Sequence, residues 1–193
     1  CKRATLVSQR HWDHGVEAMN PLDNPIWSAL TGEQATFGVR LEKAARYRKA
    51  VSPMAGLADD SQDALEQLAE LVEPGEVVIT VRGQQVIESP WERLGSVDLV
   101  QWVCAGLEGD PKADVGWREL GAEDADEMVA LARATEPGPF EKETHLLGDY
   151  IGIKDGGKLV AMTGERLIFG GYREVSAVCT AEGYGGRGYA QAL

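Results

Sequence analysis

The sequence predicts an α+β fold with a mostly antiparallel sheet, and three observations carry that reading. Between Val115 and Thr180 the order is strand, helix, helix, then three strands. The last three strands are joined by Asp155-Gly156-Gly157 and by Gly170-Gly171-Tyr172, tight turns in which glycine supplies the positive φ that hairpins need. Helices grouped before hairpin-linked strands give a layered α+β unit rather than a parallel α/β sheet.

Val115–Leu120 (VGWREL) reads as the first strand. Glu123–Ala134 is a helix whose acidic first turn complements its dipole, with Ala125, Met128, Val129 and Ala132 on the inner face. Pro137-Gly138-Pro139 ends it, and Phe140–Leu147 is a second, weaker helix. Tyr150–Lys154, Leu159–Ile168 and Glu174–Thr180 are the three strands.

The preceding part of the chain is richer in loops. Asn20-Pro21-Leu22-Asp23-Asn24-Pro25 is dense in turn formers, and Ile26–Leu30 is an apolar patch of one or two helical turns. Leu41–Arg48 is basic and polar, and Val51-Ser52-Pro53-Met54 ends it. Asp59-Asp60-Ser61 offers N-caps for a helix carrying Ala64, Leu65, Leu68, Ala69 and Val72, stopped at Pro74-Gly75. The β-branched run Glu76–Val81 (EVVITV) reads as a strand, with Gln84–Ile87 as another. Gly109-Asp110-Pro111-Lys112 is the best linker. We therefore expect two units: residues 1–112, an N-terminal α+β domain whose role the sequence does not define, and residues 113–193.

The 193 residues allow one large domain or two small ones. The net charge of −12 argues against nucleic acid and favours cationic small molecules or peptide segments. The longest stretches without Asp, Glu, Lys or Arg are 9 residues, as in Leu99–Leu107, far below the roughly 20 that a membrane helix needs. Cys1, Cys104 and Cys179 are odd in number and widely spaced, which fits reduced thiols in a cytoplasmic protein. No secretory signal is visible, and the start at Cys1 suggests a missing preceding segment.

The informative segment runs from Glu174 to Leu193. A strand enters a glycine-rich loop, and the loop opens a helix. Such a loop points consecutive backbone N–H groups outward, and a helix start adds free donors, together suiting a pyrophosphate. The alternative is a flexible surface turn. No Gly-Lys-Ser or Gly-Lys-Thr follows, so this is not a Walker A loop. No β-α-β unit follows either, which sets aside the Rossmann fingerprint.

Here the chain resembles the GCN5-related N-acetyltransferase (GNAT) superfamily, and within it the FR47-like branch. The resemblance rests on Leu120-Gly121-Ala122-Glu123-Asp124-Ala125, Thr135-Glu136-Pro137-Gly138-Pro139-Phe140, Gly164-Glu165-Arg166-Leu167, Glu174–Thr180 and Gly186-Arg187-Gly188-Tyr189-Ala190. It implies a GNAT-like fold over 113–193, a mixed, mostly antiparallel sheet with helices. It implies transfer of an acetyl group from acetyl-CoA to a small-molecule or peptide amine by direct attack in a ternary complex. The family's phosphate motif falls on Gly185, Gly186, Arg187, Gly188, Tyr189 and Ala190, with Gly185 where the family has Gln or Arg. The pantetheine arm would follow the backbone of Val178 and Thr180, and an N–H near Val178 or Cys179 would face the thioester oxygen.

The same resemblance makes Glu174 the candidate general base, eleven residues before Gly185. Strand alternation would put Glu174, Ser176 and Val178 on one face. A solvated strand-end glutamate is the equal alternative. The chain stops inside the phosphate-binding helix, so we expect a truncated polypeptide with no position for the family's downstream Tyr acid. A non-catalytic acyl-CoA sensor or protein-interaction domain is the second functional reading. The N-terminal unit would shape the acceptor side or a homodimer contact.

Other residues carry less. His11-Trp12-Asp13-His14 is thin support for a metal, and exposed polar residues are the simpler reading. Cys179 reads as a packing residue and Cys104 as core. His145 reads as structural or solvated. Trp27, Trp91, Trp102 and Trp117 read as packing, and the acidic run Glu119–Glu127 as a charged helix start.

Overall fold

The computed structural model describes residues 20–83, 89–106 and 116–193. Two antiparallel sheets organise the chain. The smaller has the order β1 (Gly38–Arg40), β2 (Ala44–Tyr47), β3 (Ala55–Leu57). The larger has the order β4 (Arg118–Leu120), β5 (Tyr150–Asp155), β6 (Lys158–Phe169), β7 (Tyr172–Thr180), each strand antiparallel to the next. Both expected hairpins form. Gly156 and Gly157 have φ of 57° and 86°, and Gly170 and Gly171 have 54° and 81°, the twist that two-residue hairpin turns require.

The helices follow their local signals. α1 (Pro25–Thr31) starts on a proline at its first position, where the missing N–H costs nothing. α2 (Gln62–Leu71) is capped by Ser61, whose Oγ accepts from Ala64 N at 3.2 Å. α3 (Ala125–Thr135) follows a 3-10 turn and ends at Glu136, which takes the left-handed conformation (φ 50°). α4 (Tyr189–Ala192) is a single turn after the glycine loop.

Four expectations change, and the first is Cys104, read as core but exposed. Glu76–Val81 forms no strand, and only Ile79 makes a parallel bridge, to Met54. β-branched residues make a strand only where a partner edge runs beside them, and β3 is three residues long. Phe140–Leu147 yields only a 3-10 turn, Thr144–Leu147. Thr144 Oγ1 accepts from Glu141 N and donates to Val51 O, both at 2.7 Å, side-chain bonds that compete with helix. Leu41–Arg48, polar by composition, contains the fully buried strand β2. There the Arg46 guanidinium meets the Glu76 carboxylate. Gln84–Ile87, the 109–112 linker, Val115, Cys1 and His11–His14 lie outside the described residues.

One core joins Ile26, Ala29 and Leu30 of α1, Ala45 and Tyr47 of β2, and Leu147, Leu167 and Phe169. It draws on both sides of residue 112. A second core joins Met128, Leu131 and Ala132 of α3 to Tyr150, Met162, Ala177 and Cys179 of the large sheet. Of the acidic run near α3, Glu119, Glu123 and Asp126 are exposed and Asp124 turns inward. Asp124, 2% exposed, meets Lys154 Nζ at 2.7 Å, and that ammonium holds its carboxyl below the usual range. Among the described residues no helix is long and apolar enough to cross a membrane.

Candidate functional site

β7 is an edge strand of the large sheet, and it is broken by a bulge. Ser176 pairs with Gly164 and Cys179 with Met162, so two residues of β7 stand against Thr163. Ala177, one of them, has φ 54°, a left-handed value that costs a non-glycine residue of order 1 kcal/mol. Strain of this kind is retained where a site needs it.

The bulge corrects the expected alternation. Residues paired across two strands share a face. Met162 and Gly164 lie on one face of β6, so Cys179 continues the face of Glu174 and Ser176, and Val178 does not. Val178 is 46% exposed, whereas Cys179 is buried against α3. Burial pushes the Cys179 thiol up, away from thiolate.

The loop after β7 is open. Gly185, Gly186, Arg187, Gly188 and Ala190 are exposed. Backbone bonds tie Ala181 N to Val160 O and Tyr184 N to Ala181 O. Gly185 and Gly186 form a turn that spends the Arg187 amide, and the amides of Gly185, Gly186, Gly188, Tyr189 and Ala190 make no backbone hydrogen bond among the described residues. Gly186 and Gly188 have φ of 77° and 79°, and side chains built at Gly185, Gly186 or Gly188 would meet only empty space. The loop borders an open depression of about 380 Å³ that reaches Thr180 and Gln191.

Side chains fix this loop from beneath. Tyr184, Tyr189 and Leu193 pack on Val160 and Ala161. The Asp155 carboxylate near the Tyr184 hydroxyl pushes its ionisation up. Arg187 lies over the Tyr184 ring at 4.6 Å. Among the described residues no cluster of His, Cys, Asp or Glu could hold a metal ion.

Glu174 lies at the other end of β7, in company that sequence reasoning missed. Both carboxylate oxygens accept from Arg166, from Nε at 3.0 Å and from Nη2 at 2.7 Å. Counting back from the Phe169–Tyr172 pair would set Arg166 opposite Val175. A second irregularity, between Glu165 and Ile168, brings it to Glu174 instead. Tyr150 stands nearby. Its ring fills the space over Gly164, where a side chain would collide with it.

The N-terminal half buttresses this end. Gln34, 1% exposed, donates to Leu147 O at 2.8 Å and Arg166 O at 3.1 Å, and accepts from the Tyr47 hydroxyl at 2.6 Å. The site thus has two ends on one strand: open amides after it, and a carboxylate–guanidinium pair at its start.

Comparison with family models and with curated proteins finds no match. Comparison with solved structures finds a crystal structure from Novosphingobium aromaticivorans, assigned as an acetyltransferase of the GNAT family. That chain is 32% identical to this one, with a TM-score of 0.71, and the match covers 90% of this chain and 77% of that one. With a bulged edge strand leading into an open glycine loop, and with likeness of this extent in both sequence and structure, the chain belongs to the GNAT family.

Proposed function

We propose that this chain is an acetyl-CoA-dependent N-acetyltransferase of the FR47-like branch, acting in the cytoplasm. The observation that carries the reading is the set of unpaired amides at Gly185, Gly186, Gly188, Tyr189 and Ala190 beside a bulged edge strand. Consecutive outward N–H groups suit a diphosphate. The backbone of Gly185, Gly186, Arg187, Gly188, Tyr189 and Ala190 would hold it, and the free edge of β7 at Val178 and Thr180 would align the pantetheine arm.

In this reading the acceptor amine attacks the thioester carbonyl directly. A C–N bond forms, an N–H near Val178 or Cys179 stabilises the oxyanion, and the C–S bond then breaks to release CoA thiol. Glu174 takes the proton from the amine. Its bond to Arg166 orients the carboxylate but occupies both oxygens, so the acceptor must share or displace that contact.

The second reading is an acyl-CoA sensor without catalysis. Gly185 favours it, because the position lacks a side chain for the diphosphate, and so does the engaged state of Glu174. Calorimetry with acetyl-CoA separates a binder from a non-binder, and CoA-thiol release with a panel of amines separates an enzyme from a sensor. Saturable binding and amine-dependent thiol release support the transferase. Binding without release supports the sensor, and absence of binding removes both.

A further inference from the structure

The Arg166–Glu174 pair presents both charges at a partly open surface, with side chains 16% and 34% exposed. Nε and Nη2 are used on Glu174, and Nη1 makes no hydrogen bond among the described residues. A Cβ built on Gly138 would stand 3.7 Å from that Nη1. Gly138 and Phe140 border an open depression of about 280 Å³ with Ala132, Arg133 and Glu136. Phe140 meets the Tyr150 ring edge-on at 5.6 Å.

Tyr150 supplies the independent observation. It is 2% exposed, and its hydroxyl has no hydrogen-bond partner among the described residues. The ring lies across Gly164, the β6 partner of Ser176, and the hydroxyl lies within the fields of Arg166, Glu174 and Glu165. Buried polar groups in folded proteins are paired, so an orphan hydroxyl within the field of a guanidinium that keeps a free nitrogen calls for a partner. That partner must accept from two donors while its neighbouring atom donates to a carboxylate.

Resting on the transferase reading, we propose that the acceptor is a zwitterionic amino acid, with its carboxylate on Arg166 Nη1 and the Tyr150 hydroxyl and its ammonium on Glu174. A guanidinium edge matches a carboxylate in geometry and charge. A plain amine leaves Nη1 and the hydroxyl unpaired, and an amino-acid amide offers them only a neutral carbonyl.

The test uses the full chain and calorimetry without acetyl-CoA. The probes are L-alanine, L-leucine and L-phenylalanine, the amines left by their decarboxylation, and their amides. At least one acid should bind about 100-fold more tightly than its amine and its amide. Tyr150→Phe, which keeps the ring and the ion pair, should narrow that gap about tenfold without strengthening the amine. Equal binding of acid and amine, or no binding by any acid, overturns the proposal. Thiol release that ignores the carboxylate would also overturn it while leaving the transferase. Acid binding without thiol release from acetyl-CoA would do the reverse.

Discussion

Two arginine–glutamate pairs of the same chemistry are anchored by their arginines on the two sheets, and they differ in what surrounds them. In the small sheet, the Arg46 and Glu76 side chains are 6% and 10% exposed. Arg46 also donates to Tyr47 O and Leu71 O, so all three nitrogens of its guanidinium are engaged. Hydrogen bonds from Arg46 hold the Glu76 carboxyl down at about 2. In the large sheet, Arg166 keeps one nitrogen free, and an orphan hydroxyl lies within its field. A saturated, sealed pair is a structural pin, whereas a half-used pair at an opening can exchange partners with a ligand.

The largest effect that would break this comparison is on stability. Glu76→Ala leaves a buried guanidinium unpaired and should cost about 3–5 kcal/mol in denaturant unfolding. Glu174→Ala, at a more open pair, should cost under about 1 kcal/mol. Equal losses would mean that both pairs are pins. Next comes activity. Glu174→Gln should lower kcat/KM about 100-fold at neutral pH, with the deficit shrinking at high pH where the acceptor amine is already neutral. An unchanged rate at both pH values would dismiss the base role.

Acid sharpens the same contrast. The folded carboxyl of Glu76 sits near 2, below its unfolded value of about 4.3. Its contribution is therefore fully present above the unfolded value and is lost as pH falls towards about 2. Glu76→Gln should flatten stability against pH across that window. A smaller effect is expected at the loop. Gly185→Arg adds a cationic contact for a diphosphate and should tighten acetyl-CoA about tenfold. Unchanged affinity would mean that the backbone alone sets binding.

What was legible in the sequence was local. Asp155-Gly156-Gly157 and Gly170-Gly171 announced their turns because glycine is what positive φ selects. Ser61 and the spacing of Ala64, Leu65 and Leu68 announced α2, and the density of glycines from Gly183 to Gly188 announced an open loop. What was hidden depended on partners far along the chain. The burial of Ala44–Tyr47 needs Glu76 to neutralise Arg46, and no local pattern shows that pairing. The meeting of Arg166 with Glu174 depends on a register shift, and the strand alternation past Ser176 on a bulge at Ala177. Single-residue shifts of this kind turn a side chain to the other face without leaving a mark in composition.

The most direct measurement follows the backbone amides of Gly185, Gly186, Gly188, Tyr189 and Ala190 by NMR during titration with acetyl-CoA. In the free protein they should exchange rapidly with solvent. On titration they should shift and become protected, ahead of amides elsewhere in the sheet. Amides in this stretch that are already protected without acetyl-CoA, or that stay unmoved while binding saturates, would contradict a diphosphate site there.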